Sequence, residues 1–340
     1  MGINLRKINH GGHGEKLSCR TVWNLGYENH FFFRGLNFFL VIVFLQFCAL
    51  SCQTASKTTY TMPNETSSIP LDSGAFGYIF IDVKNSRPIL EYVDFNGMND
   101  KQFQQIIDVT YFAMAAVYPP QSPRRYQLAA WGDYPSSRAK MALGASKGWK
   151  KMRSAVSGAE YWHSEQQRLS IALNAAQAFV LAVSGNSRED AAEISTDPFS
   201  AAPGVTAPEG FGAFSRDAVL SCWFDNPGPL INQKLQAMGV PFEFPAERFF
   251  ISLFPVDEEQ RYEAHLRIQV SSETQARGLA SVFAIARNFL SLQANSDNGA
   301  AALASILFAN PPVLDGKNLN INTTALDGRE LALLFKLFSL

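Results

Sequence analysis

The apolar positions change period several times along the chain. Phe76, Tyr78 and Phe80 alternate with Gly77, Ile79, Ile81 and Val83, a strand apolar on both faces and therefore buried. From Asn99, with Gln102 as a capping-box partner, the spacing switches to that of a helix. Phe103, Ile106, Ile107, Thr110, Met114 and Val117 share its face, and Pro119-Pro120 ends it. Runs bounded by Gly, Pro or Ser then predict strands over 126–134, 139–145, 160–164, 169–174 and 178–184, an antiparallel meander. Residues 185–216 break the pattern with Ser, Ala, Pro and Gly. Phe199, Phe211 and Phe214 interrupt that stretch, so part of it is expected to dock on something apolar.

The second half is more regular. Strands are predicted over 218–224, 248–255, 261–270 and 314–323, the last with a glycine turn at its start, and a helix over 230–238. Ser271 or Ser272 starts a long helix to about residue 293. Around its wheel Leu279, Val282, Phe283, Ile285, Ala286, Phe289 and Leu290 cover nearly half the circumference, opposite Arg277, Ser281, Arg287, Asn288 and Ser291. A short helix over 300–309 carries Leu303, Ile306 and Leu307 with one polar residue, Ser305. Asp327 caps the last helix, Glu330 stands at the reciprocal position, and Leu331, Leu334, Phe335 and Phe338 share a face. Helices of this kind either pad a sheet or lie in a lipid leaflet, where burial of apolar area yields ~25 cal/mol per Å².

Near the start, Arg34 precedes a charge-free run from Leu36 to Leu50 that ends Ala49-Leu50-Ser51-Cys52. Fifteen or so apolar residues are short for a bilayer but suit a signal peptide. Small Ser51 before Cys52 makes Cys52 the expected lipidation site, in preference to Cys48, which follows bulky Phe47. Ala49 stands where a lipobox usually has Leu, and an uncleaved anchor helix is the alternative. The stretch ahead of Arg34 is long for a signal peptide, so translation is expected to begin near Val22 or Leu25. The expected division is a signal peptide over 1–51, a lipidated tether over 52–73, an α+β half over 74–184, a linker over 185–216 and a second α+β half over 217–340.

Charge removes some partners. Lys and Arg number 29 and Asp and Glu 30; five of the basic and two of the acidic residues precede Cys52, which leaves the remainder at −4. On that average no basic patch for phosphates is expected, so nucleic acid is excluded as a partner and attraction to anionic headgroups is not the driving force. Cys222 alone would remain after Cys52, as a small buried apolar residue. No His or Cys pair has metal spacing, no glycine loop has phosphate-cradle spacing, and no carboxylate pair can be nominated, so no cofactor, metal or catalytic residue is expected. Gly144-Ala145-Ser146-Lys147-Gly148 matches the short form of a nucleophile elbow, but reads as a turn leading to Trp149. A hydrolase would need Ser146 beside His163 or His265.

Several landmarks together resemble a treponemal family of lipoproteins that insert into the outer membrane. They are Gly77-Tyr78-Ile79-Phe80, Ile107-Asp108, Gly132-Asp133-Tyr134-Pro135, Gly148-Trp149 and Tyr161-Trp162-His163-Ser164-Glu165, followed by the strand and helix order of the second half. The resemblance implies a sheet with helices outside it, amphipathic helices that move to insert, a closed and an open state, and raised membrane permeability. The fold expected is α+β: a mixed, largely antiparallel sheet flanked by amphipathic helices in α/β/α-like layers. The function expected is that of a non-enzymatic, palmitate-bearing protein of the outer membrane, facing the periplasm, with membrane lipid as its partner. The fourteen apolar residues named on the three C-terminal helices would be its inserting side chains. Exchange of Phe283 and Phe289 for Glu is expected to abolish lipid binding without unfolding. The alternative is a periplasmic lipoprotein that holds a lipid or other hydrophobic ligand in a pocket.

Overall fold

The computed structural model describes residues 71, 74–90, 104, 107–119, 122, 124–174, 179–185, 197–199, 205–237, 243–256, 261–292, 306 and 309–331. The signal peptide, Cys52, the Asn99 cap, most of 186–204 and most of 293–308 fall outside them, as does the chain beyond 331.

Twelve strands form one sheet. They are β1 (Gly77–Asp82), β2 (Thr110–Val117), β3 (Arg124–Gly132), β4 (Lys150–Arg153), β5 (Glu160–Ser164), β6 (Leu169–Asn174), β7 (Phe179–Gly185), β8 (Leu220–Asp225), β9 (Ala246–Pro255), β10 (Tyr262–Val270), β11 (Val313–Asp315) and β12 (Asn318–Asn322). Their order across the sheet is β11-β12-β10-β9-β8-β1-β2-β3-β7-β6-β5-β4, with every ladder antiparallel. The strands of the two expected halves meet where β1 pairs with β8, with Ile79 opposite Cys222. Among the described residues, the helices with defined bounds are α1 (Arg87–Leu90), α2 (Ser136–Ala145), α3 (Phe211–Ser215), α4 (Gly228–Ala237) and α5 (Glu273–Leu292). The fold is α+β, as the period changes implied.

Alternation along the strands makes two cores, one on each side of the sheet. Ile79, Leu128, Trp162, Ile171, Cys222, Ile251, Leu266 and Ile268 face one side. There they pack with Ile89 of α1, Ala139 and Leu143 of α2, and Ala276 and Leu279 of α5. Tyr78, Met114, Ala129, Leu181, Trp223 and Phe250 face the other, which Leu71, Val205 and Phe211 cover, with Phe199 and Phe214 packed alongside. The docking expected of Phe199, Phe211 and Phe214 is thus found, on the side opposite α5.

Four local expectations are corrected. The helix expected to run from Asn99 to Val117 is helical at 104 and 107–109, but becomes β2 at Thr110. The run from Phe112 to Val117 is apolar at both parities. It fits a strand held between two others, where period alone cannot tell strand from helix. The strand expected over 139–145 is α2; Arg138, Ala139, Lys140, Met141 and Leu143 are strong helix formers, and Ala139 and Leu143 bury themselves one turn apart. The single strand expected over 314–323 is a hairpin, β11 and β12, because Gly316 turns the chain at a φ of 57°. β4 was not expected at all. Its four side chains are exposed and three are cationic, so no apolar alternation marks it.

One glycine sits where the end of β3 meets the start of β2, opposite Thr110. A Cβ on Gly132 would lie 1.9 Å from the Val109 carbonyl oxygen and 2.9 Å from Thr110 Cα. The backbone must shift to admit it, so Gly132→Ala is expected to lower stability by ~2–3 kcal/mol in urea unfolding.

Candidate membrane-facing surface

Helix α5 begins with a built cap: the Gln275 N–H donates to Ser272 Oγ at 3.2 Å, and the Ser271 N–H to Gln275 Oε1 at 3.2 Å. It packs against β10, β11 and β12. Ala276 and Leu279 are buried, and Ala280 and Phe283 rest against the same core. These four make one stripe at helical spacing. The apolar arc continues past the sheet's reach, to Val282, 39 % exposed, and Ile285, 69 % exposed. Ile285 stands half a turn from Ala276 on the wheel and faces outward. Ala286, Phe289 and Leu290 lie further along α5. At its far end the Arg287 guanidinium donates to the Ala309 carbonyl at 3.4 Å, which ties α5 to the chain leading into β11.

The other nominated residues divide between the core and the undescribed segments. Ile306 and Leu331 are buried in the core that α5 covers. Leu331 follows the expected capping box: the Asp327 N–H donates to Glu330 Oε2 and the Glu330 N–H to Asp327 Oδ1, both at 2.9 Å. Leu303, Leu307, Leu334, Phe335, Phe338 and Cys52 lie outside the described residues. Two apolar residues at this end were missed. Val313 and Leu314 form the exposed edge of the sheet, on a strand that α5 packs against. The Pro311-Pro312 pair just before them was the signal that a short edge strand starts there. Among the described residues no helix is long and apolar enough to cross a membrane.

The groups that could carry chemistry are engaged in structure. Ser146 Oγ donates to the Ala142 carbonyl at 2.8 Å, and a helix rather than a strand precedes it. His163 Nδ1 lies 3.0 Å from Ser170 Oγ, and His265 Nε2 lies 3.4 Å from Glu263 Oε2 with its ring against Phe254. Burial pushes the Cys222 thiol up to about 12. No group of three or more metal-ligating side chains gathers among the described residues.

Burial also pulls the pKa of His163 below its ordinary 6.5, against the opposing pull of Glu165. The folded chain therefore resists a proton that the unfolded chain takes up. The contribution of His163 to stability is full above pH 6.5 and is lost as pH drops below it. His163→Gln is expected to flatten that acid-side loss, read as denaturation midpoints at about pH 7.5 and 5.5.

The fold and this surface define a class: a broad antiparallel sheet clad in helices, one of which leaves part of its apolar arc uncovered. The profile of the family described as outer membrane-associated lipoprotein TP0453 matches residues 69–293. The chain belongs to that family, and is an outer membrane-associated lipoprotein. Two solved structures share the fold. Crystal form III of TP0453 superposes with a TM-score of 0.51 at 17 % identity, over 83 % of this chain and 99 % of that one. Crystal form IV does so with a TM-score of 0.52 at 16 % identity, over 80 % and 98 %. No curated protein matches the chain.

Proposed function

We propose that this lipoprotein is non-catalytic, is acylated at Cys52 and sits on the periplasm-facing leaflet of the outer membrane. There the outward arc of α5 beds among the lipid chains. The observation that carries this reading is the exposure of Ile285 and Val282 on a helix whose inner stripe is already satisfied. An amphipathic helix in a leaflet gains by burying such residues, and an acyl chain holds it at high local concentration. Val313 and Leu314 extend the same apolar end of the molecule. Side chains wedged in from one side would loosen lipid packing and so raise permeability without a pore. Association of the full-length chain with phosphatidylcholine vesicles, compared with its Val282→Glu/Ile285→Glu variant, tests it. Loss of association and of dye leakage in the variant is the expected result; equal association of the two would overturn the reading.

A further inference from the structure

The chain-wide charge of −4 after Cys52 conceals a local reversal at the other end of the sheet. Between Asp133 and Glu160 there is no acidic residue, while Arg138, Lys140, Lys147, Lys150, Lys151 and Arg153 fall within that stretch. The fold gathers them. Arg138 and Lys140 lie on α2, Lys147 lies in the turn after it, and the other three lie on β4, the sheet's last strand. Lys151 pairs in register with Trp162, which packs in the core beneath α2, and Arg153 pairs with Glu160. Both cations therefore point to the side that α2 occupies. Lys151 Nζ lies 2.7 Å from Glu160 Oε1, and Lys150 Nζ lies 2.7 Å from Glu165 Oε1. The Lys151 contact, with the charges of Lys140 and Arg153 close by, holds the Glu160 carboxyl below the usual carboxylate range. Lys150 pairs in register with His163 and points to the other side, and Asp197, whose Oδ2 accepts from the Ala155 N–H at 3.2 Å, adds a third carboxylate; among the described residues the cations of this stretch still outnumber the carboxylates beside them.

Cations on an edge strand also guard against edge-to-edge pairing. That role accounts for Lys150, Lys151 and Arg153. It does not account for Lys140 and Lys147, which are off the strand, nor for Met141, 68 % exposed one turn along α2 from Arg138. Val156, in the turn after β4, is exposed as well. Cations interleaved with exposed apolar side chains fit a surface that offers anionic groups above hydrocarbon.

We propose that the α2–β4 surface binds anionic phospholipid headgroups, with Lys140, Lys147 and Arg153 as principal contacts and Met141 reaching below them. The proposal rests on the membrane association of the family and not on insertion of α5. It gives the protein a lipid preference that its net charge would deny.

The test is association of the full-length chain with phosphatidylcholine vesicles and with vesicles that also contain phosphatidylglycerol. The ratio of the two affinities cancels whatever the N-terminal apolar segment contributes equally to both. A clear preference for the anionic vesicles is expected, and it should collapse in molar salt as the screening length shrinks from ~10 Å to ~3 Å. Lys140→Gln, Lys147→Gln and Arg153→Gln are each expected to cut the ratio roughly fivefold. Lys→Arg exchanges at 140 and 147 should preserve it, and circular dichroism should show the native fold throughout. A wild-type ratio of one overturns the proposal, as does a folded triple Gln variant that keeps the preference. So does binding of a single-stranded oligonucleotide in place of anionic vesicles, which would make the surface a nucleic-acid site. Loss of phosphatidylcholine association in the Val282→Glu/Ile285→Glu variant, with binding to the anionic vesicles retained, would support a headgroup contact separate from α5. If α5 insertion fails its own test while the ratio survives, this proposal stands alone.

Discussion

Val282→Glu with Ile285→Glu is expected to weaken vesicle association at least ~100-fold while urea unfolding stays within ~0.5 kcal/mol of wild type. Side chains of this size gain roughly 1.5–3 kcal/mol each on full burial in an apolar medium. Their exposed fractions, 39 % and 69 %, leave much of that gain to be realised on lipid. A carboxylate in the same place adds a desolvation cost, so the loss exceeds that of simple truncation. Neither residue belongs to the core, which is why the fold should not notice. Phe283→Glu is the contrasting variant. Phe283 rests against the core beside Leu279, so a charge there strikes the fold first. The Phe283/Phe289 exchange that periodicity nominates would therefore confuse unfolding with loss of lipid binding. Equal vesicle affinity of wild type and the 282/285 variant, with both folded, would refute the assignment of this arc to lipid.

Trp223→Ala is expected to cost ~3–5 kcal/mol. Trp223 is 1 % exposed, on the side of the sheet away from α5. Its ring stacks on Phe80 at 5.1 Å, tilts against Tyr78 at 4.8 Å and meets Phe211 edge-on at 4.6 Å. Its indole N–H donates to Asp225 Oδ2 at 3.2 Å. The ring is the floor on which α3 sits, with Phe214 beside it on Phe250 and under Arg267. Besides the drop in urea midpoint, limited proteolysis within 205–216 should accelerate, because the residues that dock there lose their partner. A loss under ~1 kcal/mol would show that the second core is dispensable.

Much of the architecture could be read from the chain because the signals were local. β1, β8, β9 and β10 each carry their alternation or their unbroken apolar run in their own residues, and α5 and the Asp327–Glu330 cap announce themselves by spacing. The errors arose where neighbours decide. Thr110–Val117 is a strand because β1 and β3 flank it, and Lys150–Arg153 is a strand because β5 lends it a ladder. The positive surface was legible as a stretch without acids, but an average over the whole chain hid it.

The amino-acid order by itself determined that α5 has more apolar arc than a helix needs. It also determined that Phe199, Phe211 and Phe214 must find cover. It could not apportion the arc, because periodicity states only that Leu279, Val282, Phe283 and Ile285 are neighbours around a cylinder. Which of them touch the sheet depends on where β10, β11 and β12 lie beneath α5, and that is set by strand pairing far away in the chain. The tertiary structure alone places Leu279 inside and Ile285 outside, and brings the cations of α2 and β4 to one edge. Burial and electrostatic fields are properties of packed neighbours, not of positions in a string.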